Sequence, residues 1–251
     1  MTNAVLSLVL LAAPTFGPPK DQVVGSGNSV TETRELAEFD EIEFRVAGDF
    51  KVTIAEKATP LEIDADDNIL PLITTEVVDG RLIVDSTKPF KAKHSPDFKV
   101  SVASLNRLLV LGAGDMTVRG LDNYKFRLDI NGSADVRLSG KSDELKIVVN
   151  GSGDVHAFEL SARQTDISIA GSGDVRVSSS ETLEVSIAGS GDVKYLGKPT
   201  VHKSIAGSGD VRRHKKRSSK KGHDKDHGHD HDHDKDQGHD DDDDHDHDHG
   251  H

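Results

Sequence analysis

The chain of 251 residues contains no cysteine and no tryptophan, and aromatic residues make up only 4% of it. Without cysteine, disulfides, thiolate metal sites and a lipid-modified N-terminal cysteine are all excluded. The scarcity of aromatic rings argues against a core built from large ring side chains. Valine, isoleucine, leucine, glycine and serine dominate the middle of the chain, and this composition favours β-structure over helix.

The sequence also lacks an apolar stretch long enough to cross a bilayer, so we expect no transmembrane segment. The apolar segment 4–13 has ten residues, which is the length of the hydrophobic region of a signal peptide. We therefore predict a signal peptide over residues 1–20 and an exported protein that is periplasmic, secreted or at the cell surface. The signal is atypical because no Lys or Arg precedes the apolar segment and Pro14 follows it.

Charge is distributed unevenly along the chain, whose formal net charge is −13. Residues 1–211 carry −9, residues 212–221 carry +7 and residues 222–251 carry −11. An acidic body is thus followed by a basic collar and an acidic tail. We predict a linker over 21–33, a folded domain over 34–212 and a disordered collar and tail over 213–251.

One seven-residue phrase occurs six times in the body. It reads IAGSGDV at 169–175, 187–193 and 205–211, and looser copies stand at 110–116, 130–136 and 149–155. The aspartates of the six copies lie 18 to 20 residues apart, at Asp115, Asp135, Asp154, Asp174, Asp192 and Asp210. Self-similarity at a fixed period is typical of a solenoid, in which each unit buries its apolar face against the next.

Apolar residues alternate with polar ones on both sides of each phrase, as in Leu183, Val185 and Ile187 before the break and Val193 and Tyr195 after it. Alternation with period two predicts strands with one buried face. A unit of 18–20 residues with two or three short strands matches one coil of a parallel β-helix. The sequence therefore predicts an all-β fold, a parallel β-helix with a strand-rich N-terminal part.

The phrase itself is interpreted mainly as a corner between strands, where glycine permits a sharp turn and Ser and Asp accept backbone N–H bonds. The corner glycines are Gly171, Gly173, Gly189, Gly191, Gly207 and Gly209. If the aspartates stack, their carboxylates lie about 5 Å apart and repel one another. Calcium binding by this row and a catalytic carboxylate are the alternatives, although calcium-binding β-rolls repeat every nine residues rather than every 18–20.

Three features occur together over about 34–212: the G-S-G-D-V units, the element ADDNILPLITTEV at 65–77 and a distinctive last coil. In this combination the chain resembles the putative auto-transporter adhesin, head GIN domain family of bacterial envelope proteins. The last coil matches the pattern G-x-V-x-Y-x-G-x-P at Gly191, Val193, Tyr195, Gly197 and Pro199. The resemblance implies a right-handed parallel β-helix that is exported, with no catalytic residues to carry over. The His/Asp-rich tail is a departure from the family pattern.

The tail combines thirteen aspartates with ten histidines, and it has no aliphatic or aromatic side chain that could form a core. Neutral imidazole binds Zn²⁺, Ni²⁺ and Cu²⁺, and alternating Asp adds oxygen donors. We therefore predict transition-metal chelation by His223, His227, His229, His231, His233, His239, His245, His247, His249 and His251. The alternative is a solubilising tail with incidental metal affinity. His94, His156 and His202 are interpreted as surface histidines or as histidines with satisfied hydrogen bonds.

These features predict a non-enzymatic, adhesin-like surface module with no required cofactor, whose partner is an envelope or surface protein or polysaccharide. The alternatives are a metal-sequestering protein in which the tail is the active part and, less favoured, a carbohydrate-active β-helix enzyme. The basic collar at 212–221 lacks interleaved aromatics and adjoins an acidic tail, which argues against nucleic-acid binding. A charged cap that prevents end-to-end stacking of the solenoid is the favoured interpretation of the collar.

Overall fold

The computed structural model describes residues 22–214 and shows a β-solenoid of about five turns, which confirms the predicted parallel β-helix. Successive coils pair in parallel at the spacing of the repeat, so that Val155 lies beside Val136 on one side and Val175 on the other. The interval of 18–20 residues between phrases is therefore the length of one coil. Among residues 22–214 there is no helix long and apolar enough to cross a membrane.

Seventeen strands and one 3₁₀ turn make up the described chain. In chain order the strands are β1 Val23–Val24, β2 Ser29–Arg34, β3 Glu41–Phe44, β4 Asp49–Ile54, β5 Leu61–Asp66, β6 Ile73–Val78, β7 Arg81–Ser86, β8 Phe90–Lys91, β9 Asp97–Val102, β10 Arg107–Val110, β11 Asp115–Gly132, β12 Asp135–Gly151, β13 Val155–Gly171, β14 Val175–Gly189, β15 Val193–Leu196, β16 Thr200–Gly207 and β17 Val211–Arg213. The 3₁₀ turn is Leu70–Leu72, with Pro71 in its first turn.

The four longest strands, β11 to β14, each run around most of one coil and end on the first glycine of a repeated phrase. Their apolar residues alternate inward, which forms buried aliphatic rows such as Ile130, Val149, Ile169 and Ile187. Each row continues from coil to coil because parallel strands in register place equivalent residues side by side. The body is therefore a straight stack in which repeated sequence positions become lines of side chains.

The N-terminal strands form the first coils, but their order in space differs from their order in the chain. Strand β10 pairs with β3, and β3 pairs in turn with β7, which comes after it in sequence. On the next face β11 pairs with β4, and β4 with β9. The outermost coil is thus supplied by β7 and β9, from an excursion of the chain between β4 and β10. Antiparallel strands β5 and β6 then flank this coil.

The segment assigned above to a linker, residues 21–33, contributes two strands to this end of the solenoid. Strand β1 pairs with β8, and β2 pairs with β5 in antiparallel fashion. Five of the six residues of β2 are exposed, so its sequence carries no alternation of buried and exposed apolar residues. The strand is held by its edge pairing with β5, which a periodicity argument does not detect.

The core is mostly aliphatic along the repeated coils, where Phe126 on β11 is a buried aromatic residue, and three phenylalanines cluster at the N-terminal end. Phe44, Phe50 and Phe98 are almost completely buried, and their ring centroids lie 5.2 to 5.6 Å apart. Phe50 and Phe98 are register partners on β4 and β9, so the cluster joins the outermost coil to the second. A low aromatic content is therefore compatible with a ring-based core where the few rings are concentrated.

Candidate functional site

The six aspartates of the repeat lie in one row along a corner of the solenoid, between the end of one strand and the start of the next. The Oδ1 atom of Asp174 accepts a hydrogen bond from the backbone N–H of Asp192 at 2.9 Å, and Asp192 accepts one from Asp210 at 3.0 Å. Asp135 and Asp154 serve the next coil in the same way. These four carboxylates thereby supply an acceptor to a backbone donor that the corner removes from the strand ladder, whereas the N–H of Asp135 is bonded to the carbonyl oxygen of Gly114.

The same row continues into the two N-terminal coils, where no copy of the phrase was recognised. Asp49 accepts a hydrogen bond from the backbone N–H of Asp115 at 2.9 Å, and Asp97 is its register partner on β9. Around Asp49 the phrase is shortened to VAGDF, and around Asp97 it is SPDF. The corner tolerates these changes because the Asp and the apolar residue after it are kept.

The two glycines of the IAGSGDV phrase meet partly different constraints, as the copy at 187–193 illustrates. Gly189 has a φ of +145°, a conformation that side-chain-bearing residues rarely adopt. A Cβ atom at Gly191 would lie 2.3 Å from the carbonyl oxygen of Gly173 in the preceding coil. The first glycine is needed both for its backbone angle and for close approach, because a Cβ there would lie 2.1 Å from the carbonyl oxygen of Gly171, whereas the second is needed for close approach alone.

Within residues 22–214 the structure brings together no group of three His, Asp or Glu side chains that could hold a metal ion. His94 lies 3.3 Å from Asp66 near the N-terminal end, whereas His202 is exposed on β16. The ten tail histidines, His223 to His251, lie outside the described residues, and so does the predicted signal peptide at 1–20. The metal prediction for the tail therefore stays a prediction.

A row of cationic residues runs parallel to the aspartate row, two residues further along each coil. Its members occupy the position directly after the inward-facing valine that follows Asp, and β-pairing places them side by side across five coils. The row consists of Arg137, His156, Arg176, Lys194 and Arg212. Adjacent members are one strand spacing apart, about 4.8 Å, so the row extends over roughly 19 Å.

These residues form the floor of a groove of about 990 Å³. The groove is also lined by Arg119, Arg213, His214, Phe158 and Glu159, so that six cations face a single carboxylate. This concentration of positive charge lies on an otherwise acidic body. The volume of the groove falls at the upper end of the range typical of ligand sites, about 300–1,000 Å³.

One side of the groove is shaped by an irregularity in β13. Three extra residues, Phe158 to Leu160, interrupt its register with β14, so the strand bulges where Phe158 and Glu159 enter the lining. The ring of Phe158 lies 5.1 Å from that of His214, which follows β17. His156 and Arg212 stand three coils apart, so this aromatic pair connects distant coils beside the groove.

The groove cations differ in how well their charge is compensated. Arg137 donates to Asp115 at 3.1 Å, and Arg212 lies 3.8 Å from Asp210 and 3.9 Å from Asp192. Arg176 donates instead to Nδ1 of His156 at 2.9 Å, which assigns His156 as neutral with its proton on Nε2. Among residues 22–214, no carboxylate oxygen lies within 4 Å of the charged nitrogens of Arg176 or Lys194.

Cations on a different face of the solenoid show the contrasting, paired arrangement. Asp129 is buried and accepts hydrogen bonds from both Arg107, at 3.0 Å, and Arg127. Burial raises the pKa of the Asp129 carboxyl, but the hydrogen bonds and positive charges of Arg127 and Arg107 outweigh it and hold that pKa below its ordinary value. Lys146, next in the row, pairs with Asp166 at 2.6 Å. Charge on this face is internally balanced, so it offers less to an anionic partner than the groove does.

The groove is the feature that sequence reasoning missed, although a signal for it was present. The residue after each D-V unit is Arg, His, Arg, Lys and Arg in the last five copies, which is a cationic position at a fixed place in the repeat. The net negative charge of the body concealed it. In addition, Arg212 and Arg213, assigned above to the basic collar, belong to β17 and line the groove.

Comparison with known proteins places the chain in a family and supports its fold. The model of the putative auto-transporter adhesin, head GIN domain matches residues 38–199. A putative adhesin of Bacteroides fragilis, 24% identical, superposes with a TM-score of 0.62 over 76% of this chain and 99% of its own. A putative adhesin of Parabacteroides merdae, 20% identical, gives 0.48 over 78% and 100%. No curated protein is significantly similar to the chain. The protein belongs to the putative auto-transporter adhesin, head GIN domain family.

Proposed function

We propose that the protein is an exported, adhesin-like binding module of the cell surface and that the cationic groove is its binding face. The observation that carries the proposal is the groove itself, where six cations converge on a rigid, strand-built floor with one carboxylate among them. Membership of an adhesin family supports the surface role. A stacked solenoid suits such a role because it presents a line of side chains without rearranging its backbone.

The proposal is for binding rather than catalysis. Hydrolysis of a glycosidic bond requires two carboxyl groups on opposite sides of the bond, one acting as the acid. Among the residues that line the groove, Glu159 is the one acidic side chain. Four of the six repeat aspartates accept hydrogen bonds from backbone N–H groups at the neighbouring corner, and all six occupy the equivalent position of the repeated phrase. Both features favour a scaffold and a recognition surface.

Export is tested in cells that make the protein naturally, by fractionation and by protease treatment of intact cells. We expect the chain in the envelope or surface fraction, with a mature N-terminus after the apolar segment 4–13. Surface exposure predicts that protease added to intact cells removes it, whereas a cytosolic marker survives. Recovery of the uncut chain, still starting at Met1, from the cytosol would refute the proposal.

A second candidate function, transition-metal sequestration by the tail, is favoured by the ten histidines within residues 222–251. We expect truncation after Gly222 to remove nearly all heat of Zn²⁺ and Ni²⁺ binding in titration calorimetry, because those histidines hold most of the imidazole ligands of the chain. The folded body should melt at an unchanged temperature, since the tail contributes no apolar side chain to a core.

The matched control replaces the ten tail histidines with asparagine and keeps all thirteen aspartates. If metal binding by imidazole is the tail's chemistry, this variant loses Zn²⁺ and Ni²⁺ binding as completely as the truncated chain does. Binding that persists in the asparagine variant would assign it to carboxylates instead. Lowering the pH below about 6 should also weaken binding to the intact tail, because protons then compete for the imidazoles.

A further inference from the structure

The cations of the groove are arranged as a line rather than a cluster. Arg137, Arg176, Lys194 and Arg212 project from equivalent positions of parallel strands, with His156 between the first two. Neighbouring positions are therefore separated by the fixed strand spacing of about 4.8 Å. A compact anion such as phosphate would contact two of these positions at most. The whole line is matched by an extended ligand with a repeating negative charge.

We propose that the groove binds a linear acidic polysaccharide whose sugars carry carboxylates, with the polymer lying along the solenoid axis. Such a chain presents one carboxylate per sugar ring, and the length of a ring is comparable with the strand spacing of about 4.8 Å. Successive carboxylates can then meet the adjacent cations Arg176, Lys194 and Arg212. This inference rests on the proposed surface role and specifies the ligand of the same groove.

The remaining lining residues are suited to sugars. Thr117 and Ser139 offer hydroxyl groups at the Arg137 end of the groove, and Phe158 adds an apolar ring at its side. Arg176 and Lys194, at the centre, are the cations without a nearby carboxylate in the described part of the chain. They are only partly exposed, so a bound carboxylate would be shielded from solvent and the attraction less screened than on an open surface.

Two other polyanions fit the groove less well. Single-stranded nucleic acid is held by successive aromatic platforms on which bases stack. The lining of the groove contains one phenylalanine, Phe158, rather than a succession of rings. An anionic bilayer requires a flat or protruding basic face, whereas here the cations line a concave channel. The acidic polysaccharide is therefore the ligand class that the observations favour.

The test measures binding of the full chain to immobilised polygalacturonate by biolayer interferometry, with the methyl-esterified polymer as the uncharged comparison. We expect the double variant Arg176→Glu/Lys194→Glu to lose at least about tenfold in affinity, because two attractive contacts become repulsive. The double variant Arg176→Gln/Lys194→Gln should lose less affinity. It replaces the charge-reversed variant in the test if that chain does not fold. Wild-type affinity should fall as salt is raised.

The matched control is Lys57→Glu/Lys91→Glu, which changes the net charge equally at two exposed lysines outside the groove. It should bind polygalacturonate within about twofold of wild type, so that any larger loss in the groove variants reports position rather than total charge. The acidic tail is present in every variant and therefore does not distort the comparison.

Several results would overturn the inference. If the groove variants and the control bind with equal affinity, the groove is not the binding site. If the esterified polymer binds as tightly as polygalacturonate, carboxylates are not the groups that the groove recognises. Tighter binding to a single-stranded oligonucleotide or to vesicles containing anionic lipid would assign the groove to that class instead. None of these outcomes bears on export, which is measured separately in intact cells, so the two proposals can fail independently.

Discussion

Gly191→Val is expected to lower the free energy of unfolding by about 3 kcal/mol, which is a large effect for a single substitution. A Cβ atom at this position would lie 2.3 Å from the carbonyl oxygen of Gly173, which is a backbone atom and cannot rotate away. The nearest side-chain atom is Cγ2 of Ile169, at 3.1 Å, which belongs to the core of the preceding coil. The substitution must therefore push two coils apart or shift the corner.

The measurement is denaturant unfolding of wild type and variant, followed by circular dichroism. Ser190→Val is the matched control, because it adds the same side chain one residue earlier at an exposed position. Its free energy of unfolding should stay within about 0.5 kcal/mol of wild type. If the two variants were equally stable, coil-to-coil approach at Gly191 would not be what the phrase preserves.

Phe98→Ala is expected to lower the free energy of unfolding by about 4 kcal/mol. The Phe98 ring is completely buried and lies 5.2 Å from Phe44 and 5.6 Å from Phe50. Truncation removes this packing and leaves a cavity that the neighbouring strands cannot fill without breaking their register. Because Phe98 belongs to the outermost coil, the result also tests the inverted order of the first two coils.

The control for this prediction is Phe158→Ala, a phenylalanine that is only half-buried at the groove. Loss of its contact with His214 should cost about 1 kcal/mol or less. A double-mutant cycle of Phe50→Leu and Phe98→Leu should reveal coupling, since the two residues are direct partners on β4 and β9. Additive effects would argue that these strands are not neighbours.

The repeated coils could be predicted from sequence because each unit carries the same three signals: alternation, a glycine break and a fixed interval. In a solenoid the nearest neighbours in space are the next copies in sequence, so periodicity alone determines the pairing from β11 to β17. The N-terminal coils do not obey this rule. Strand β9 returns to pair outside β4 after an excursion of more than forty residues, and no local pattern encodes that return.

The groove was missed for a different reason. Composition averages over the chain, and a body with a net charge of −9 over residues 1–211 conceals a line of cations at one repeat position. Arg176 and Lys194 are 18 residues apart in the sequence but adjacent on paired strands. Charge counted by position within the repeat, rather than along the chain, would have detected the row. The bulge at Phe158 carries no comparable signal in the sequence.

The hydrogen bonds that Asp135, Asp154, Asp174 and Asp192 accept from backbone N–H groups of the next coil give the phrase its role as a structural corner. Thermal melts of wild type, Asp192→Asn and Asp192→Ala, each with and without excess calcium, test it directly. In the wild type the backbone nitrogen of Asp210 lies 3.0 Å from a carboxylate oxygen of Asp192. Asparagine at position 192 keeps a side-chain oxygen for this N–H group, whereas alanine leaves the N–H without that acceptor. Calcium bound to the acidic tail alone is expected to shift no melt, because a tail that is disordered, as the sequence predicts, binds calcium equally in the folded and the unfolded chain.

If the carboxylates serve the backbone, we expect Asp192→Asn to melt at the wild-type temperature and Asp192→Ala to lose about 1 kcal/mol of the free energy of unfolding. Calcium should leave the melting temperatures of both variants unchanged. The contrary result is an asparagine variant as unstable as the alanine variant, together with a wild-type protein that calcium stabilises. That outcome would make the repeated carboxylates calcium ligands.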